Sequence, residues 1–171
     1  IETVWIEDFQ DLANGTTTDN GETAWSFTGG KSGARTIAVD DFNGGRSFVG
    51  NNTGGSNESN LVTWTSESID ITDLQDVSVS IDLMSATSGH EGASSQWRDL
   101  IRVYYILDGG ARVLMNNGEH YGNYIFQQAT VGNLTGNTIQ IEIELHNTAN
   151  SEFNVFDNVL VQGFRPPEER E

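Results

Sequence analysis

Near the end of the chain the run FNVFDNVLVQGF, Phe153 to Phe164, reads as a buried strand with one carboxylate, Asp157, in its middle. A buried carboxylate without compensation costs several kcal/mol, so Asp157 must be exposed, hydrogen-bonded or bound to a cation. Other groups able to do covalent chemistry are few. The chain has three histidines (His90, His120 and His146) and no cysteine, which excludes a thiol nucleophile, a zinc–thiolate centre and a disulfide framework. There is no G-x-S-x-G elbow, and Gly89-His90-Glu91-Gly92 lacks the second histidine of an H-E-x-x-H zinc site. Glu142 and Glu144 share one strand face at ~6.6–7 Å by strand rise, at the lower edge of the ~6.5–9.5 Å that an inverting glycosidase needs. Such a pair is an ordinary feature of any polar strand, and the inventory does not point to an enzyme.

The residues suited to holding a hydroxyl-rich ligand are more numerous. Alternation places Asp82, Arg102, Tyr104, Glu142, Glu144 and His146 on the outward faces of their strands. Carboxylates and guanidinium groups make bidentate bonds to hydroxyls, and aromatic rings stack on the apolar faces of sugars. The alternative is a solvated sheet face with cross-strand charge pairs. The loop Ser85–Asp99 (SATSGHEGASSQWRD) adds His90, Trp97 and Arg98, and long loops on rigid sandwiches commonly carry binding. Trp97 is there either as a ligand platform or as a plug over the sandwich edge. The HYGNY stretch supplies Tyr121 and Tyr124 as rim candidates.

These groups must be positioned by strands. Asp76–Met84 and Asn137–His146 alternate with period two, and Leu100–Leu107 is a third, more apolar strand. Weaker strand patterns cover Glu2–Ile6, Ala24–Phe27, Arg35–Val39, Arg46–Val49, Leu61–Thr65, Arg112–Met115, Asn123–Thr130 and Asn154–Gln162, with Trp25 and Trp64 as core residues. Asp108-Gly109-Gly110 is a hairpin signal, and Ile71–Leu74 allows at most one helical turn. About ten short strands separated by turns predict a two-sheet antiparallel β-sandwich, best a jelly roll. A single domain over 1–164 with a charged tail or linker at 165–171 accounts for the length. A net charge of −17 repels nucleic acid and anionic membranes, so neither is expected as a partner.

Three segments carry a resemblance. Ile6–Phe27 (IEDFQDLANGTTTDNGETAWSF), Trp64–Ile71 (WTSESIDI) with Val77–Leu83, and Phe156–Gly163 (FDNVLVQG) together resemble the β-jelly-roll carbohydrate-binding modules and accessory domains of secreted polysaccharide-degrading proteins, particularly those of marine Bacteroidetes. The resemblance implies a secreted or cell-surface, non-catalytic module that binds a polysaccharide and is attached to a catalytic or surface module. Trp97, Arg98, Arg102, Tyr104, Glu144 and His90, with Tyr121 and Tyr124, are its expected ligand-binding residues. It also implies a structural calcium ion held by Asp157 of the last strand and an acid of the first strand, Glu7 or Asp8, with help from Asp40 or Asp41. For Asp157 alone, capping a bulge through backbone N–H bonds remains the competing reading. The competing functions are a structural or adhesive calcium-binding module, and a jelly-roll glycoside hydrolase or polysaccharide lyase.

Overall fold

The computed structural model describes residues 1–86 and 88–167, so positions 168–171 of the expected charged tail lie outside the described residues. Among these residues the chain forms β1 (Glu2–Glu7), β2 (Trp25–Thr28), β3 (Thr36–Phe42), β4 (Gly45–Asn51), β5 (Val62–Ser66), β6 (Ile69–Asp70), β7 (Gln75–Ser85), β8 (Leu100–Leu107), β9 (Arg112–Tyr121), β10 (Gln127–Leu134), β11 (Thr138–His146) and β12 (Phe153–Phe164). The helical content of the described residues is one 3-10 turn, Ser56–Glu58. All strand pairs are antiparallel. One sheet runs β2-β5-β11-β8-β9 with β6 beside β11; the other runs β10-β7-β12-β4-β3 with β1 beside β12. The two meet along one edge, where Asn116 of β9 pairs with Thr130 of β10. This is the expected all-β sandwich of jelly-roll type.

The strongly alternating strands place their apolar residues as predicted. Val77, Val79, Ile81 and Leu83 of β7 face Ile139, Ile141, Ile143 and Leu145 of β11 across one shared core. At one end of that core Phe9, Trp25, Phe48, Trp64 and Phe156 pack with ring centroids 5.1–6.5 Å apart, mostly edge to face. Such contacts add about 0.5–1.5 kcal/mol per pair beyond burial.

β12 changes partners along its length. Phe153–Phe156 pair with β4, whereas Val159–Gly163 pair with β1, and the strand pairs with β7 on its other side throughout. The exchange occurs at a bulge formed by Asp157 and Asn158, with Asn158 at φ 50. Asn tolerates this left-handed backbone better than most residues. Asp157 accepts the Asn158 N–H at 2.8 Å, so the carboxylate inside the apolar run caps a bulge where a simple ladder would fail.

Candidate functional site

The bulge turns Asp157 to the outer side of its sheet. There it joins a row of polar side chains that crosses β3, β4, β12, β7 and β10 in register: Asp40 opposite Ser47, Asp157 opposite Asp82, and Asp82 opposite Gln128. The members are bonded to one another. Ser47 Oγ donates to Asp157 at 3.2 Å, Asn158 donates to Asp82 at 2.8 Å, and Gln128 donates to Asp82 at 3.0 Å. Burial, ahead of the nearby Asp8 and Asp82 charges and against the bonds from Asn158 and Ser47, pushes the Asp157 carboxyl up to about 6.

Ser47, Asp157, Asn158 and Asp82 of this row line a groove of about 250 Å³, walled by Phe42, Met84 and Phe126. Phe126 is 58 % exposed, an unusual state for a phenylalanine that borders a concavity. Its exposure follows from Ile125, whose φ of 52 breaks the expected strand Asn123–Thr130 before Gln127. A groove with an accessible aromatic wall and convergent carboxylates and amides can stack one face of a ring while binding its hydroxyls. Periodicity puts Asp82 on an outward face with Arg102 and Glu144; the structure places it on the opposite sheet from them. Phe126, Ser47 and Gln128 carry no motif that marks them, and Asn158 lies in the FDNVLVQG segment without being singled out.

The expected binding residues on the other sheet come together as a charge network. Glu58 accepts from Arg98 Nε at 2.7 Å and from Arg102, whose Nε also donates to Glu144 at 3.0 Å. Arg102 also donates to the Tyr121 hydroxyl at 3.4 Å. Arg112 lies 4.2 Å above the Tyr104 ring and 3.5–3.6 Å from Glu144 and Glu142. Arg98, Arg102, Tyr104, Tyr121 and Glu144 are therefore neighbours, but their charges compensate one another internally. Alternation predicts an open face; the 52–60 segment instead lies over it. Glu144 is 5 % and His146 0 % exposed as a result.

Three other expectations resolve separately. Trp97 is 45 % exposed, so it does not plug the sandwich edge. Tyr124 is buried; its hydroxyl donates to Met84 O at 3.1 Å and accepts from Asn154 at 3.0 Å, which removes it from any rim. His90 is half-buried, accepts the Phe153 N–H at 3.2 Å, and has its pKa lowered by burial. It braces the loop end and does not reach the charge network.

Of the expected calcium ligands, Glu7 lies apart from Asp157 and Asp40. Glu7 pairs with Val159 on the core side of the sheet, whereas Asp157 and Asp40 lie in the outer row. The Glu7 carboxylate is engaged by Trp25 Nε1 at 2.7 Å, Phe9 N at 3.1 Å and Thr23 Oγ at 3.1 Å. Three N–H and O–H donors engage it, so Glu7 does not fit as the ligand of an ion shared with Asp157; Asp8, the other expected acid, lies near enough to Asp157 for its charge to raise that carboxyl.

No family model matches the chain, and no curated protein matches it. The fold does have solved counterparts. A family 61 carbohydrate-binding module in complex with β-1,4-galactotriose aligns over 92 % of this chain and 99 % of its own, with a TM-score of 0.57 and 10 % identity. The K3 cleaved adhesin domain of Lys-gingipain from Porphyromonas gingivalis aligns over 94 % and 97 %, with a TM-score of 0.55 and 10 % identity. The N-terminal cellulose-binding domain of Cellulomonas fimi β-1,4-glucanase C aligns over 84 % and 90 %, with a TM-score of 0.51 and 10 % identity. The chain thus shares the β-sandwich of carbohydrate-binding modules and of adhesin domains.

Proposed function

We propose that this protein is a non-catalytic carbohydrate-binding module that holds a polysaccharide chain in the groove over β4, β12 and β7. The observation that carries this reading is the accessible Phe126 beside the polar groups of Asp157, Asp82, Asn158 and Ser47 that line the groove. The ring supplies a stacking wall, and the row supplies acceptors and donors already held in place by one another. Solved proteins of the same fold that bind galactotriose or are cellulose-binding domains support a glycan as the occupant. The two acidic side chains of the groove, Asp157 and Asp82, favour neutral over sulfated sugars. Attachment to a polysaccharide-degrading or surface protein, in a secreted or cell-surface setting, fits this role.

Affinity electrophoresis across neutral plant and algal polysaccharides tests the reading. Retardation should occur with at least one glycan, should be lost in Phe126→Ala and weakened in Asp82→Asn, and should persist in Trp97→Ala. Loss in Trp97→Ala with retention in Phe126→Ala would move the site to the loop end. Absence of retardation by every glycan favours a structural or adhesive module, and new reducing ends or unsaturated products would require an enzyme.

A further inference from the structure

The loop between β7 and β8 and the loop between β11 and β12 meet at one end of the sandwich. Glu91 and Asp99 come from the first and Glu152 from the second; one carboxylate oxygen from each lies within 4.8 Å of the other two. Asp99 is 0 % and Glu152 1 % exposed. Among the described residues no arginine or lysine forms an ion pair with any of them. Part of the Asp99 and Glu152 carboxylates is held by nearby N–H and O–H donors. Asp99 Oδ2 accepts the Glu91 N–H at 2.7 Å, and Glu152 Oε1 accepts from Thr148 N at 2.9 Å and Thr148 Oγ at 3.2 Å. The remaining oxygens are the informative ones: Asp99 Oδ1 and Glu91 Oε2 are buried and have no hydrogen-bond partner. Buried polar atoms without partners are rare in folded proteins and need a physical reason.

We propose that Glu91, Asp99 and Glu152 form a site for a hard divalent cation, calcium by its chemistry, that ties the two loops together. Three converging carboxylates that no arginine or lysine among the described residues pairs with repel one another unless a proton or a cation compensates them. An ion bound by Asp99 Oδ1, Glu91 Oε2 and Glu152 would compensate all three at once and give the two orphaned oxygens their partner. The donor set is all oxygen and without sulfur, which suits calcium better than zinc, with loop carbonyls and water completing the six to eight ligands that calcium takes. The site stands independently of the glycan groove and shares no residue with it.

The test is thermal unfolding of chelator-treated protein, followed by circular dichroism, with calcium or zinc chloride returned, together with a calorimetric calcium titration. Calcium at a hundredfold excess over its dissociation constant should raise the melting temperature by about 5–10 °C. Asp99→Asn and Glu152→Gln should each abolish the rise and the calorimetric signal. In chelator, Asp99→Asn should melt no lower than the parent because it removes a buried acid, so loss of its response is not a failure to fold. Glu7→Gln should keep the response. A calcium response that survives Asp99→Asn, a larger response to zinc, or no binding to the parent protein would each overturn the proposal.

Discussion

Glu58 joins two arginines from a backbone conformation that only strong contacts would maintain, which makes its replacement informative. Asn57, Glu58 and Asn60 have φ of 54, 58 and 60. A left-handed glutamate costs roughly 1 kcal/mol or more and persists where its surroundings over-determine it. The surroundings here are Arg98 at 2.7 Å and Arg102, both held by one carboxylate. Glu58→Gln removes the charge and one acceptor while keeping the shape. A hydrogen bond to a charged group contributes about 1.5–3 kcal/mol. Arg102 keeps Glu144 as a second partner, and the side chains retain 15–24 % exposure, so the two lost charge-assisted bonds should together cost about 2 kcal/mol after solvent screening. For a domain of this length that lowers the melting temperature by about 4–8 °C. The pH dependence is a sharper check. Burial pushes the Glu58 carboxyl up, but the bonds and charges of Arg98 and Arg102 outweigh it and hold the group below its ordinary value. Its stabilisation is therefore fully present above the ordinary carboxylate pKa and disappears as pH falls through the depressed folded value. Denaturant titrations of parent and Glu58→Gln should differ at pH 7 and converge under acid. Equal stability at pH 7, or a difference that stays constant through the acid range, would refute the argument.

Glu7→Ala leaves the buried Trp25 and Phe9 N–H groups and the Thr23 hydroxyl without their acceptor. It should cost about 3 kcal/mol, read as a lower urea midpoint. Burial, against the bonds from Phe9, Trp25 and Thr23, raises the Glu7 pKa, so its contribution declines as pH rises through the raised value; Glu7→Gln should flatten that slope in the same titration. Gly54→Ala would place a methyl group against Ser59 O and 2.6 Å from His146 Nε2. The 52–60 segment must then shift, and a loss of about 1–3 kcal/mol with weakened Glu58 pairing should appear as a smaller effect of Glu58→Gln in the Gly54→Ala background.

Strand positions were legible wherever one face of a strand meets the core. β8 matches the expected Leu100–Leu107, and β7 and β11 differ from expectation by a residue at their ends, because period-two alternation is set by burial on one side. What covers the other side was not legible. Glu142, Glu144 and His146 carry the same outward signal, yet the 52–60 segment leaves Glu142 accessible and buries the other two. That segment folds over the face through long-range contacts, such as Gly54 N to Asn147 O and Asn57 N to Gln96 O, which no local pattern encodes. Phe126 was hidden for a related reason. Within an apparent strand, Ile125 and Phe126 should alternate between core and solvent, but the left-handed Ile125 leaves both exposed.

Asp157 shows why a polar residue in an apolar run marks a place to look without saying what is there. Its position follows from the exchange of β4 for β1 along β12, which requires a bulge and a group to satisfy the displaced N–H of Asn158. An asparagine or serine could cap the same turn. Capping alone therefore does not explain a carboxylate facing Asp82 and raised to about 6 mainly by burial. Placing two acids opposite each other on adjacent strands is destabilising in the free protein. Under the proposed function that cost would be offset when the pair accepts hydroxyl hydrogens from a ligand, since ionised acceptors bind donors more strongly than neutral ones. The bulge is a structural necessity of the β12 partner exchange, and the proposed glycan groove would account for the choice of aspartate at it.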